Sequence, residues 1–209
     1  MAGARVVPAL EQLELLPTPL NAGELATVGA LAQLGSDWHI FVQPRLAMAE
    51  PDFVVVHPDK GVWVIEVKDW NPSRYRPVRN PGGRLIEVFD GDRWIPRPSP
   101  KSQLVSYEKT FRERFFVDFA GAWLPHQGLR VLLVLPRFSR DEAVQLLGGF
   151  PLVVEQELAH LAQQLSEASD ARLEPDRIAE LLRWLDEPEN VSDQRLPLAL
   201  SGQAQEVAL

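Results

Sequence analysis

A domain that mixes helices with β-structure is the fold this sequence predicts, on three observations. Residues 51–68 read as two strands rich in Val, Ile and aromatics joined by a short turn. Leu129–Leu135 is an unbroken apolar run closed by Pro136, as expected of a strand covered on both faces. Helical patterns lie on either side of these strands in the chain, over residues 21–34 and from Ser99-Pro100 onward.

Taken in order, residues 1–20 begin loosely, and Pro17 and Pro19 break any helix there. Asn21 is a suitable N-cap for the first helix, which Gly35-Ser36 stops. Its inward stripe is Leu25, Val28, Leu31, Ala32 and Leu34, with Glu24 falling inside it. A carboxylate there either complements the helix dipole or serves a site. Residues 38–46 read as a strand leading into the hairpin, limited by Gln43-Pro44. Residues 69–77 are irregular by their prolines. A second hairpin follows, residues 84–89 and 93–95 around the turn Asp90-Gly91-Asp92. Ser99 and Pro100 then open a long helix as N-cap and first residue. Its inward stripe is Leu104, Tyr107 or Glu108, Phe111, Phe115 and Phe119. Gln103 and Tyr107, four apart, share a face; by themselves they make an ordinary polar edge. Residues 148–154 add a further strand, and helices over 155–166 and 175–185 complete the ordered part. Expected boundaries are an extension at 1–19, a core at 20–150, helices packed on it at 151–187, and a tail or linker at 188–209.

The first hairpin carries the chemistry. In its second strand Val62, Val64, Glu66 and Lys68 point one way, and Trp63, Ile65 and Val67 the other. A symmetric turn pairs Val56 with Val62, Val54 with Val64, and Asp52 with Glu66. Two opposed carboxylates repel, and a divalent cation such as Mg²⁺ relieves that repulsion by taking their oxygens. With Lys68 beside them to polarise a phosphate or orient water, the set reads as a metal-dependent phosphodiesterase centre. The plain alternative is a strand-edge Asp and a solvated Glu-x-Lys face. A one-residue slip in register would part the two acids.

Composition bounds the rest. The 209 residues are 45% hydrophobic and 24% charged, enough for one substantial soluble domain. The absence of cysteine excludes disulfides and thiolate metal sites and suits a reducing cytoplasm, the expected location. No apolar run is long enough for a membrane span, and the N-terminus lacks the basic-then-apolar order of a signal peptide. The four histidines show no metal-ligand spacing, and no G-x-S-x-G, Walker or dinucleotide motif occurs. A net charge of −8 argues against indiscriminate coating of duplex DNA. Residues 74–114 nevertheless hold ten basic against five acidic side chains, either ordinary surface charge or a grip for a phosphate backbone.

Gly23-Glu24 at the first helix, Pro51-Asp52 followed by Phe53-Val54-Val55-Val56, and Gly61 through Glu66-Val67-Lys68 resemble the PD-(D/E)XK nuclease superfamily, and within it the nuclease-related domain, NERD. The turn Asp90-Gly91-Asp92-Arg93-Trp94 and Ser99-Pro100 with Gln103 resemble the later part of that family. The resemblance covers residues 20–136 and implies a restriction-endonuclease-like α/β core, a central mixed β-sheet flanked by helices. It implies Mg²⁺ or Mn²⁺ held by Asp52, Glu66 and the Val67 carbonyl, with Glu24 joining directly or through water. Lys68 matches the position that assists water activation. Gln103 and Tyr107 resemble the Q-x-x-x-Y feature of RecB-like nucleases, which lies beside the active site and DNA. The proline-rich segment 71–81 is longer than expected after the lysine. Family members often occur joined to helicase or kinase domains, so such a partner domain is an expectation.

The function expected is therefore metal-dependent hydrolysis of DNA, with Glu24, Asp52, Glu66 and Lys68 catalytic, and Gln103, Tyr107, Arg74, Arg76 and Lys101 guiding the strand. The rival, from another class, is a nuclease-fold module that binds nucleic acid or a protein without turnover.

Overall fold

The structure, a computed structural model, describes residues 3–46, 50–78, 84–118 and 128–186, with side chains of 113–118 excluded. The expected tail at 188–209 and Phe119 lie outside the described residues, as does the side chain of Phe115. Six strands form one mixed sheet: β1 (Arg5–Val7), β2 (His39–Val42), β3 (Phe53–His57), β4 (Gly61–Val67), β8 (Leu129–Leu135) and β9 (Leu152–Val154), in that spatial order. β2, β3 and β4 run antiparallel to one another, while β1 lies parallel to β2 and β8 and β9 parallel to β4. A second, antiparallel sheet holds β5 (Tyr75–Pro77), β6 (Leu85–Phe89) and β7 (Trp94–Pro98).

Alternation along β3 and β4 divides the core into two layers. Phe53, Val55, Ile65 and Val67 face a cluster with Val28 and Leu31 of α1 (Ala22–Leu31). Leu161 and Leu165 of α4 (Leu161–Glu167) join the same cluster. Val54, Val56, Val62 and Val64 face Leu104 and Phe111 of α2 (Pro100–Asp118). Ala143 and Leu147 of α3 (Arg140–Leu147) and Leu181 and Trp184 of α5 (Pro175–Asp186) pack in that second layer. The sheet is thus flanked by helices on both faces.

Several local expectations change. Residues 5–7, read as loose, form the sheet's parallel edge strand; three residues are too few to show a period. Leu10–Leu15 winds as a 3₁₀ helix. α1 stops at Leu31, and its buried face is Gly23, Glu24, Thr27, Val28, Ala30 and Leu31. Leu25 points outward at 52% exposure while Thr27 is buried, its hydroxyl bonded to the Gly23 carbonyl at 2.7 Å. Val28, Leu31, Leu34 and Glu24 are buried as expected, and Gly23, Thr27 and Ala30 widen the inward face, with no room for a side chain at Gly23 beside Pro136 and Asp69. Tyr75–Pro77, read as irregular, is an edge strand, a place where proline is tolerated. α3 was not anticipated, although Ser139 and Glu142 form its capping box. Residues 155–160 are 3₁₀ before α4 begins.

The tight turn that sets the β3–β4 register depends on Gly61, at φ +81°. A Cβ there would lie 2.4 Å from the Gly128 carbonyl oxygen, which accepts the Val62 N–H at 2.7 Å. Gly61→Ala is therefore expected to cost at least about 2 kcal/mol in urea unfolding, from positive-φ strain and a backbone clash together.

Candidate metal centre

The hairpin register is the symmetric one: Val56 opposes Val62, Val54 opposes Val64 and Phe53 opposes Ile65. Asp52, one residue before β3, therefore stands opposite Glu66 on the face toward α2. Its side chain continues the ladder, with Oδ2 accepting the Val67 N–H at 2.6 Å. This places Asp52, Glu66 and the Val67 peptide together at one end of the sheet, where helices from both faces can reach.

Glu66 is almost wholly buried. Its Oε1 accepts from Lys68 Nζ and from Gln103 Nε2, the latter at 2.8 Å. Its Oε2 is buried and has no hydrogen-bond partner among the described residues. Gln103 Nε2 also reaches the Tyr107 hydroxyl at 2.5 Å, which donates to the Glu50 carbonyl at 3.2 Å. The polar edge that Gln103 and Tyr107 share on α2 is thus directed at the carboxylate. The Ser99 hydroxyl, accepting the Lys101 N–H at 3.3 Å, starts α2 where Gln103 meets Glu66.

Burial chiefly, then the charge of Glu66 opposite, pushes the Asp52 pKa up to about 7; the Val67 N–H and Lys68 work against this, and Glu24 adds to it. Burial also raises Glu66, opposed by Lys68 and by the Gln103 bond. Tyr107 is pushed up to about 12, by burial first and with Glu66 and Asp52 adding, so it stays a protonated donor. Two desolvated acids facing each other, one with an orphaned oxygen, form an all-oxygen donor set that suits a hard divalent cation. The residues fit Mg²⁺ or Mn²⁺.

Glu24 arrives from the other face of the sheet. Its carboxylate closes a capping box on α1, accepting the Asn21 N–H at 3.0 Å and the Asn21 amide at 2.6 Å. That role accounts for an acid in the first turn of a buried face. Glu24 and Asp52 also line one cavity of about 210 Å³, together with Leu16, Pro17, Thr18, Gln43, Arg45 and Glu50. Gln43, at φ +48°, turns the chain between β2 and this cavity, and Arg45 pairs with Glu50 at 3.8 Å. The sequence pattern did not single out Gln43, Arg45 or Glu50; Gln43-Pro44 marked a strand end and nothing more.

The predicted strand-guiding cations make contacts with other groups than these carboxylates. Arg74 donates to the Phe89 carbonyl, at 2.7 Å from its terminal nitrogen. Arg76 pairs with Glu87 at 2.6 Å and covers the Trp94 ring, and Lys101 lies 5.9 Å from the Phe150 ring centre. No group of three or more His, Cys, Asp or Glu side chains clusters as a preformed metal cage among the described residues, so Asp52 and Glu66 are a pair, with Glu24 held by Asn21. No described helix is long and apolar enough to cross a membrane.

No curated protein and no solved structure matches the chain. The family described as nuclease-related domain, NERD, matches residues 20–136, more than half of the sequence. That stretch holds α1, the β3–β4 hairpin, the second sheet and α2 through β8, and with them Glu24, Asp52, Glu66, Lys68, Gln103 and Tyr107. By that match the chain belongs to the nuclease-related domain family.

Proposed function

We propose that this protein is a Mg²⁺- or Mn²⁺-dependent nuclease that hydrolyses DNA phosphodiester bonds. The observation that carries the proposal is Asp52 facing Glu66 across a fixed register, with Glu66 Oε2 buried and unpartnered among the described residues. Asp52, Glu66 and the Val67 carbonyl would hold the cation, and Glu24 would join through water. A bound cation would lower the pKa of its water and neutralise charge on the phosphoryl oxygens.

The side chains divide the remaining work. The Val67 N–H fixes Asp52, and Gln103 fixes Glu66, so neither carboxylate has to be ordered when substrate arrives. Lys68, partly exposed and bonded to Glu66, places its ammonium where it can orient a water or the scissile phosphate. Tyr107 locks Gln103 from behind. Gln103→Ala is accordingly expected to lower activity by about 10–100-fold through metal affinity, raising the Mn²⁺ concentration needed for half-maximal rate.

The test is cleavage of labelled single- and double-stranded DNA by the purified chain with Mg²⁺ or Mn²⁺, against an EDTA control. Divalent-dependent cutting is the expected result. Binding of DNA with no cutting under any of these conditions would instead fit a module that keeps the fold without turnover.

A further inference from the structure

The second sheet is tied to the carboxylate site at both ends. It begins shortly after Lys68 and hands the chain on to α2, and Lys68 and Gln103 bond the same oxygen of Glu66. Its two faces differ. Ile86 is buried in the core, with Tyr75 and Val88 packed beside it. Strand register puts Arg76, Glu87, Phe89, Trp94 and Pro96 on the opposite face. There the Phe89 and Trp94 rings lie 5.4 Å apart between centres, and the Arg76 guanidinium sits 4.2 Å from the Trp94 ring centre. Arg76, Pro96 and Pro98 are exposed, and Leu85 is 37% exposed. Arg74 runs along the edge to the Phe89 carbonyl.

Charge selects the occupant. Residues 74–98 carry six arginines against three acids in a chain whose net charge is −8. On the face itself Arg76 pairs with Glu87, and the surplus sits around it, where Arg74, Arg84, Arg93 and Arg97 are exposed against Asp90 and Asp92; a cationic rim on an acidic protein complements a polyanion. Aromatic rings and a stacked guanidinium offer nothing to a duplex, whose base faces are covered, but they match the bases of an unpaired strand.

We infer that the outer face of this second sheet binds single-stranded DNA, with bases stacking on Trp94, Phe89 and the Arg76 guanidinium. The inference rests on the nuclease reading for its choice of DNA, and names the form of substrate that the site receives. It adds Trp94 and Phe89 to the strand-guiding role expected of Arg74 and Arg76.

The experiment is anisotropy titration of the full chain, in EDTA so that nothing is cut, with three labelled probes of equal length: oligothymidylate, its abasic counterpart and a duplex. Oligothymidylate is expected to bind about tenfold tighter than either other probe. Trp94→Ala should remove about tenfold of that affinity without changing abasic binding, and Trp94→Phe should restore most of it. Should Trp94→Ala unfold the hairpin, Arg76→Ala, whose side chain is exposed, serves instead, with an expected loss of about threefold or more at unchanged melting temperature. Equal affinity for abasic and base-bearing strands, a preference for duplex, or intact base-dependent binding in a folded Trp94→Ala protein would overturn the inference. Cleavage with Mn²⁺ is measured in parallel: base-dependent binding by a chain that cuts no DNA would support this surface while sinking the nuclease proposal.

Discussion

Glu66→Ala is expected to abolish divalent-dependent cleavage, by at least about 10³-fold, while leaving the protein folded. A bound cation would contribute several kcal/mol of transition-state charge stabilisation, and Glu66 would supply the most buried of its oxygens. Lys68 and Gln103 lose an acceptor, but both reach partial exposure and can turn to water. Glu66→Gln separates chemistry from packing, because the amide fills the same volume and its carbonyl oxygen can still accept from Lys68 or Gln103. It should be as inactive as Glu66→Ala and melt within a few degrees of the wild type. Lys68→Ala belongs beside it as a different kind of loss. Its activity should fall by about 10²–10⁴-fold, the range for a group that assists proton transfer or water positioning, with Mn²⁺ binding retained. Single-turnover cleavage rates at saturating Mn²⁺ read all three. Activity within tenfold of wild type in Glu66→Gln would remove Glu66 from the centre.

The metal-free protein should be stabilised by a substitution that is expected to abolish its cleavage. Asp52 faces Glu66 in a desolvated site, and its pKa in the folded state is pushed up to about 7. A carboxyl raised in this way binds a proton in the folded state that the unfolded chain releases near pH 4. Stability therefore falls as pH rises from about 4 through about 7, and the full penalty is present above that range. Asp52→Asn removes the charge and keeps an oxygen for the Val67 N–H. In EDTA above about pH 8 its melting temperature should be higher by about 2–8 °C, the scale of one to two kcal/mol in a domain of this size. Excess Mn²⁺ should raise the wild-type midpoint and leave Asp52→Asn where it was. A lower midpoint for Asp52→Asn in EDTA, at a pH where wild-type Asp52 is ionised, would mean that the acid pair is a stabilising structural feature.

Much of the site was legible because its geometry is local. The three-residue turn 58–60, closed by the His57–Gly61 pair, fixes which β3 residue meets which β4 residue, and period-two alternation then puts Asp52, Glu66 and Lys68 on one face. Spacing of four likewise put Gln103 and Tyr107 on one helix face. That this face meets Glu66 depends on how α2 docks, which no spacing within the helix encodes. Glu24 shows the converse. Asn21 and Glu24 carry a capping-box pattern in plain view, and the box accounts for the buried acid before any metal is invoked. Leu25 is exposed while Gly23, two residues earlier, is buried close to Pro136 and Asp69, and which side of the first turn packs against residues more than forty positions away is not written in the helix's own spacing. Short elements escaped for a simpler reason. Three residues in β1 or β5 give a period nothing to repeat over, and their strand character comes from the neighbour they pair with.

Calorimetric titration of the metal-free protein with Mn²⁺ at about pH 8 tests the centre most directly, since it needs neither substrate nor turnover. Saturable binding is expected in the wild type, unchanged in Lys68→Ala and absent in both Asp52→Ala and Glu66→Ala. No binding to the wild type, or binding that survives in Asp52→Ala and Glu66→Ala, would contradict a metal held between these two carboxylates.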